Sequence, residues 1–287
     1  MSRKNLNDED YPTTGHEWDG IREYDKPMPR WWVITFYLTI LWGVGYLIAY
    51  PAWPLINGAT PGLLGYASRT EVALDIAKVK AANAALDRKL VEVSLDQIET
   101  DAALNHYAVS GGAAVFRTNC LQCHGAGAQG SVGYPNLLDD DWLWGGDINA
   151  IYQTISHGIR VNTDDDTRYS EMPKFGEFLE ESEIAQAVQY VRKLSGATHN
   201  EGLVVAGAEI FADNCASCHA DNGTGDRDQG APDLTDAIWL FGGDADSLTA
   251  TVTNSRFGVM PNWNNRLTEA QIRQVTAYVH QLGGGEN

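Results

Sequence analysis

The sequence is poor in cysteine, methionine and basic residues. Its 287 residues include four cysteines, four methionines, and 20 lysines and arginines against 38 aspartates and glutamates. The formal net charge of −18 excludes a nucleic-acid-binding protein, because the contact surface of such a protein is basic. A chain this acidic instead suits a partner with a basic face.

All four cysteines lie in two copies of one short pattern, Cys-x-x-Cys-His. The copies are Cys120, Cys123 and His124, and Cys215, Cys218 and His219. This pattern is typical of covalent haem c attachment. The two thiols form thioethers with the haem vinyl groups, and the histidine becomes an axial ligand of the iron. We therefore predict two haem c groups as cofactors.

Other kinds of cysteine site fit less well. The pairs begin at residues 120 and 215, whereas zinc ribbons place their pairs about 15–20 residues apart. A thioredoxin-like dithiol expects a βαβ setting, and the sequence around the two pairs is not strand-rich. A structural disulfide gives no role to the histidine that follows each pair.

Both motifs belong to a longer internal repeat, which ends in a helical segment with an acidic first turn. The matched residues are Gly112 and Gly207, Phe116 and Phe211, Asn119 and Asn214, Trp142 and Trp239, Ile184 and Ile272, and Tyr190 and Tyr278. A repeat of this length predicts two similar domains. We predict an all-α fold, with one N-terminal transmembrane helix followed by two tandem cytochrome c domains.

A methionine followed by proline precedes the closing helix of each repeat. Met172 and Met260 are two of only four methionines. Their matched positions favour axial ligation of haem iron over core packing, the ordinary role of methionine. His/Met ligation raises the potential of haem iron and leaves no open site, so we predict electron transfer and no catalytic residues. The repeat favours pairing within each unit, His124 with Met172 and His219 with Met260, although a crossed pairing uses the same residues.

One uncharged stretch of twenty residues, 31–50, is long enough to cross a bilayer as a helix. Basic residues flank its start, and none follows until Arg69. This asymmetry predicts a cytoplasmic N-terminus and periplasmic haem domains, on the side of the bacterial inner membrane where haem c is attached. A cleaved signal peptide would have an apolar core of about 7–15 residues behind a short basic start. Thirty polar residues do not fit that pattern, so we predict a single-pass anchor.

These features divide the chain into five parts. We predict a cytoplasmic tail over residues 1–30, an anchor over 31–54, a connector over 55–104, and cytochrome c domains over 105–197 and 198–287. The connector has apolar residues at helical spacing. We expect it to form a long amphipathic helix that either docks on a partner or spaces the haem domains from the membrane.

Other candidate residues carry less specific signals. Four histidines lack a counterpart in the other repeat and are expected on the surface or in the core: His106, His157, His199 and His280. Three residues could either donate hydrogen bonds to haem propionates or have ordinary packing and surface roles: Trp144, Arg160 and Arg256. The acidic stretch 164–166 with Glu171, found only in the first repeat, is either a solvated loop or a docking edge for a basic electron donor.

The N-terminal tail has a specific pattern of its own. It reads His16-x-Trp18-Asp19-Gly20-Ile21-x-Glu23-x-Asp25, then Pro27-x-Pro29-x-Trp31-Trp32. Together with one span and two haem motifs, this resembles the dihaem subunit (subunit III) of cbb3-type cytochrome c oxidases, from about residue 16 to the C-terminus.

The resemblance implies an electron-transfer subunit without a catalytic centre of its own. Such a subunit takes electrons from a soluble or anchored basic cytochrome c and passes them through its haems to the monohaem subunit. From there the electrons reach the catalytic haem–copper subunit of this respiratory complex, where oxygen is reduced. The tail around residues 16–25 would serve in assembly or docking.

Three other functions use the same haem residues. One is a membrane-anchored dihaem carrier for another periplasmic redox enzyme. A dihaem peroxidase would need an iron that releases its distal ligand, which two Met-Pro sites disfavour. A haem-based gas sensor would bind carbon monoxide in its reduced state.

Overall fold

Ten α-helices and two short β-hairpins form residues 12–286, the part of the chain that the computed structural model describes. The helices are α1 (Arg30–Ala49), α2 (Ser68–Glu92), α3 (Ala102–Asn119), α4 (Leu121–His124), α5 (Ile148–His157), α6 (Glu181–Leu194), α7 (Glu201–Asn214), α8 (Ala216–His219), α9 (Ala245–Asn254) and α10 (Glu269–His280). The antiparallel hairpins pair β1 (Thr13–Trp18) with β2 (Ile21–Tyr24), and β3 (Pro54–Leu55) with β4 (Gly58–Ala59). The predicted helical fold is confirmed, and the two hairpins were not predicted. The chain divides into two compact units between Ala82 and Asn83.

The first unit begins with the β1–β2 hairpin. Its turn lies at Asp19 and Gly20, whose φ angles are 51° and 81°. Two positive φ angles match the turn that suits the twist of a hairpin, and Asp-Gly is a favoured sequence for it. Part of the pattern in the N-terminal tail is therefore a local structural signal.

The predicted span lies in α1. This helix has 20 residues with a mean hydropathy of 1.7, and none of them is buried within the structure. It is long and apolar enough to cross a bilayer. The uncharged stretch 31–50 and this helix coincide to within one residue at each end, and the helix ends at Ala49. Tyr50 is extended, with ψ at 161°, because it precedes Pro51 and a residue before proline is disfavoured in the helical region.

The long helix expected in the connector is α2, and a 3-10 turn at Leu95–Gln97 follows it. Apolar residues in the first half of α2 are exposed: Val72, Ile76 and Val79. Beyond them, Leu90, Leu95 and Ile98 are buried in a cluster with residues of α3, α5 and α10. The end of the connector is thus part of the second unit and of its hydrophobic core.

The second unit contains two hydrophobic cores, and each combines helices from both repeats. The first core consists of α3, α4, α5 and α10, and the second core of α6 to α9. Phe116 of α3 lies against Tyr278 of α10, with ring centroids 5.5 Å apart. Phe211 of α7 lies against Tyr190 of α6 at 5.2 Å. The helix before each haem motif therefore packs on the closing helix of the other repeat.

Matched glycines allow these helix pairs to approach closely. A Cβ atom on Gly112 would lie 2.1 Å from the carbonyl oxygen of Gln274 in α10, and one on Gly207 would lie 2.1 Å from that of Gln186 in α6. Only residues 195–200 link α6 to α7, and consecutive helices joined by a short link usually pack together. Each packed core therefore includes helices from both sequence repeats.

Candidate haem sites

Each haem motif forms one helical turn directly after a long helix of its core. The turns are α4 and α8, which follow α3 and α7. All four thiols are free. Burial raises the pKa of Cys120 and of Cys215 to about 11. A thioredoxin-like dithiol requires a lowered pKa, so the shift disfavours that alternative.

The two motif histidines are held in a form that can bind iron. Nδ1 of His124 lies 3.1 Å from the carbonyl oxygen of Pro135, and Nδ1 of His219 lies 3.1 Å from that of Pro232. A carbonyl oxygen only accepts hydrogen bonds, so Nδ1 is the donor and Nε2 keeps a free lone pair. Burial lowers the pKa of both histidines, which favours the neutral ring that a metal needs.

Met260 lies on the first core, the one that contains His124. Its side chain packs against the buried cluster of this core, as does Cys120. Its backbone pairs with Ile159, which follows α5: Ile159 N–H donates to Met260 O at 2.9 Å, and Met260 N–H donates to Ile159 O at 3.1 Å. Gly158 permits this approach, since a Cβ atom there would lie 2.4 Å from the Met260 carbonyl oxygen.

Met172 lies beside the second core, the one that contains His219. Ser255, which follows α9, donates a hydrogen bond from Oγ to the Met172 carbonyl. The next turn of chain, Phe175–Glu177, packs on α9. The structure therefore brings each predicted methionine to the core of the other repeat's histidine.

The residues of both cores suit haem c. Each core offers two free thiols one helical turn apart, a histidine with Nε2 available, and a partly buried methionine. This is the donor set of a covalently attached haem with His/Met ligation.

Matched contacts join the two cores through the loops that follow their haem motifs. Gly133 N–H donates to the carbonyl of Leu240 at 2.8 Å, and a Cβ atom on Gly133 would lie 3.2 Å from the Phe241 ring. A Cβ atom on Gly230 would lie 2.2 Å from the Trp144 ring. Each aromatic side chain thus packs on the loop that follows the other core's haem motif.

Arg160 connects the two methionine loops. Its Nε donates to Ser170 O at 2.5 Å and its guanidinium to Gly258 O at 3.0 Å. These carbonyls lie two residues before Met172 and Met260, respectively. Burial lowers the pKa of Arg160.

The other weak candidates have local partners. His157 pairs with Asp164, and His199 pairs with Glu201. His280 contacts Glu99 and the Glu286 carbonyl, whereas His106 is exposed. Arg256 donates to Thr251 and to the carbonyls of Phe241 and Ser247.

Sequence reasoning missed the residues that orient the ligands. Pro135 and Pro232 follow the motif histidines at 11 and 13 residues, and this near-match between the repeats was an available signal. Asn262, which is 3 % exposed, follows Met260 by two residues and has no such counterpart after Met172.

Comparison with known proteins matches the whole length of the chain. The family described as N-terminal domain of cytochrome oxidase-cbb3, FixP, matches residues 11–57, cytochrome c matches 109–195, and cytochrome c oxidase, cbb3-type, subunit III, matches 202–279. The cbb3-type cytochrome c oxidase subunit CcoP of Cereibacter sphaeroides is 62% identical over 96% of both chains.

Two further relatives agree. Subunit CcoP of Rhodobacter capsulatus is 52% identical over 100% of both chains, and subunit FixP of Sinorhizobium medicae is 50% identical over 96% of this chain and 95% of its own. The predicted family and its two haem c groups are confirmed. The chain belongs to the CcoP/FixP family of cbb3-type cytochrome c oxidase subunits, and it is a membrane-anchored dihaem electron-transfer subunit.

Proposed function

We propose that the chain relays electrons from a basic donor cytochrome c to the monohaem subunit of a cbb3-type oxidase, and through it to the catalytic haem–copper subunit. Bound haem c supplies reversible one-electron transfer. The observation that carries the proposal is the matched ligand set on two joined cores. Because each core offers a histidine and a methionine to one iron, neither iron is left open to oxygen.

The ligand pairing that we propose is crossed, His124 with Met260 and His219 with Met172. Met260 and Cys120 pack against the same buried cluster, which supports the first pair. The hydrogen bond from Ser255, at the end of α9, to Met172 supports the second. The covalent attachment sites stay as predicted: Cys120 and Cys123, and Cys215 and Cys218.

A basic donor is favoured by the charge of the chain. A formal net charge of −18 attracts proteins with a lysine-rich face and speeds their encounter at low salt. The same attraction weakens as salt screens it.

The proposed orientation puts residues 1–30 in the cytoplasm and the haem cores in the periplasm. Basic residues before α1, and their absence between its end and Arg69, support it. The β1–β2 hairpin would then lie on the cytoplasmic side, where it is available for assembly with another subunit.

The test uses the full chain, tagged in membranes of a bacterium that makes the oxidase. We expect it to purify with the haem–copper and monohaem subunits. Stopped-flow reduction of its haems by a lysine-rich cytochrome c should slow steeply as salt rises. Isolation without a haem–copper subunit would favour a carrier for another redox enzyme, and a salt-independent rate would contradict the basic donor.

A further inference from the structure

The first repeat contains an insert that the second repeat lacks. Met172 follows the end of α5, at residue 157, by 15 residues, whereas Met260 follows the end of α9, at residue 254, by six. The difference is nine residues. Arg168 and Arg256 each lie four residues before the methionine. Arg168 donates to Trp144 O and Thr154 Oγ1, and Arg256 donates to the matched Phe241 O and Thr251 Oγ1. We therefore place the insert within residues 158–167, between α5 and Arg168.

The insert binds the loop that follows Met260. Thr163 Oγ1 lies 2.9 Å from Asn262 Oδ1. Oδ2 of Asp164 accepts from Asn264 Nδ2 at 2.5 Å and from Asn262 Nδ2 at 3.4 Å. Asn262 also donates to Asn264 Oδ1 at 2.9 Å. A segment of the first repeat therefore holds the side chains next to a ligand of the first core.

The second carboxylate oxygen of Asp164 is also engaged. Oδ1 accepts from Nδ1 of His157, the last residue of α5, at 2.9 Å, and from the Asp166 N–H at 2.9 Å. The Asp164 side chain is only 8% exposed. Mainly the hydrogen bond from His157 lowers its pKa to about 2, so the carboxylate is ionised at neutral pH. Asp164 thus links α5 to the Met260 loop and is not a free charge for a docking partner.

The neighbouring Asp165 differs from Asp164 in its exposure. Asp165 is exposed, as expected of a solvated loop residue. The predicted docking edge at residues 164–166 thus combines one buried structural carboxylate with solvated ones.

We propose that Asp164 is a positioning residue for Met260: by holding Asn262 and Asn264 it keeps the Met260 loop on the first core, in place to bind iron. The proposal rests on the proposed function in one respect, that Met260 is an axial haem ligand. The effect is confined to one ligand: Met260 detaches from iron less readily than it would without the insert, and the Met172 loop is unaffected.

The test is an imidazole titration of the ferric full chain in detergent, followed by the sulfur-to-iron absorption band. Imidazole competes with the methionine, so its apparent affinity follows the fraction of open iron. Removing a buried charged hydrogen-bond partner costs enough to change that fraction roughly tenfold or more. We therefore expect Asp164→Ala to raise the imidazole affinity of one haem about tenfold, while the matched control Asp165→Ala leaves both haems unchanged.

The affected haem is identified by comparison with Met260→Ala. Brief peroxide treatment destroys haem whose iron is open, and mass spectrometry of the two haem peptides shows which one was lost. The proposal requires that Asp164→Ala and Met260→Ala expose the same haem. Unchanged imidazole binding in Asp164→Ala, or an effect on the other haem, would overturn it.

The two proposals fail separately in this experiment. If both variants expose the haem on Cys215 and Cys218, Asp164 positions Met260 but the crossed pairing is wrong. If Met260→Ala exposes the haem on Cys120 and Cys123 and Asp164→Ala does not, the pairing stands and the role of Asp164 is wrong. Should Asp164→Ala not accumulate with haem, Asn264→Ala removes the 2.5 Å donor to Asp164 and the acceptor of Asn262 but keeps the Asp164 carboxylate. A smaller increase in imidazole affinity at the same haem is then expected, and no increase overturns the proposal.

Discussion

The two methionine loops occupy matched places but are held differently. The Met260 loop has two backbone hydrogen bonds to Ile159 and a side-chain network to the insert. Within residues 12–286, the hydrogen bond that reaches the Met172 backbone comes from the Ser255 hydroxyl. A duplicated domain can therefore keep its ligands while the stiffness of their support diverges.

This difference bears on electron transfer, because a ligand that stays on the iron in both oxidation states keeps the potential high. The stiffer Met260 loop predicts a first-core haem that resists opening. The second-core haem should open first when the protein is stressed by heat or by competing ligands.

The largest effect is expected from widening one helix pair. In Gly112→Val the new side chain would meet the α10 backbone, where even a Cβ atom lies 2.1 Å from the Gln274 oxygen. Such a clash should lower the free energy of unfolding by about 3 kcal/mol, measured by urea unfolding at the haem absorption band. The haem on Cys120 should be lost first. The matched variant Gly207→Val should instead cause early loss of the haem on Cys215. Loss of the same haem in both variants would contradict the packing of α3 on α10 and of α7 on α6.

Loss of Arg160 should loosen both methionine loops. Arg160→Ala removes hydrogen bonds to the carbonyls of Ser170 and Gly258, and we expect a cost of about 2 kcal/mol. Imidazole should then bind both ferric haems more tightly, in contrast to Asp164→Ala. Arg160 has a φ of 56°, so Arg160→Gly serves as a control that relieves backbone strain. Arg160→Gly should raise the imidazole affinity as much as Arg160→Ala does. An unchanged affinity in Arg160→Gly would mean that backbone strain causes the effect of Arg160→Ala.

A smaller and selective effect is expected from Ser255→Ala. This change removes one hydrogen bond to the Met172 carbonyl, worth about 1 kcal/mol. Imidazole affinity should rise roughly fivefold at the haem that Met172→Ala opens. An equal rise at both haems would show that the two loops are not held independently.

The smallest effect is expected at Asp141, which lies near three other aspartates. Burial, followed by the charges of Asp236, Asp139 and Asp233, raises the pKa of Asp141 to about 6. The native state therefore binds this proton more tightly than the unfolded state, and stability falls as pH rises from about 4 through about 6. Because Asp141 is partly exposed to solvent, we expect Asp141→Asn to stabilise the protein at pH 7 by only about 1 kcal/mol. The gain, measured by thermal unfolding, should vanish near pH 4; a gain that persists there would have another cause.

The sequence predicted the chemistry of the sites better than the packing around them. Cys-x-x-Cys-His identifies haem c because the spacing serves covalent attachment directly. The exchange of helices was not predicted, because Gly112 and Gly207 have the same neighbours in both repeats and fit either partner. The short link between α6 and α7 was the one local signal for it.

Long-range pairs explain the other missed features. Asp164 looked like part of a solvated acidic run, since its partner Asn264 is 100 residues away. The end of α1 at Ala49 agrees with Pro51 and Pro54, which mark the exit from a helix. The hairpin at Asp19 and Gly20 was missed for a local reason, because its turn signal was used only as part of a family pattern.

The most direct test of the crossed ligand pairing uses chains with a single haem. Replacing Cys215 and Cys218 by alanine leaves only the haem on Cys120 and Cys123, and the matched pair of changes leaves only the other. In the first background, Met260→Ala should abolish the sulfur-to-iron band and Met172→Ala should leave it intact, with the reverse in the second background. In chains that retain both haems, peroxide treatment and peptide mass spectrometry should give the same assignment. Loss of the band with Met172→Ala when only the haem on Cys120 and Cys123 is present would contradict the account.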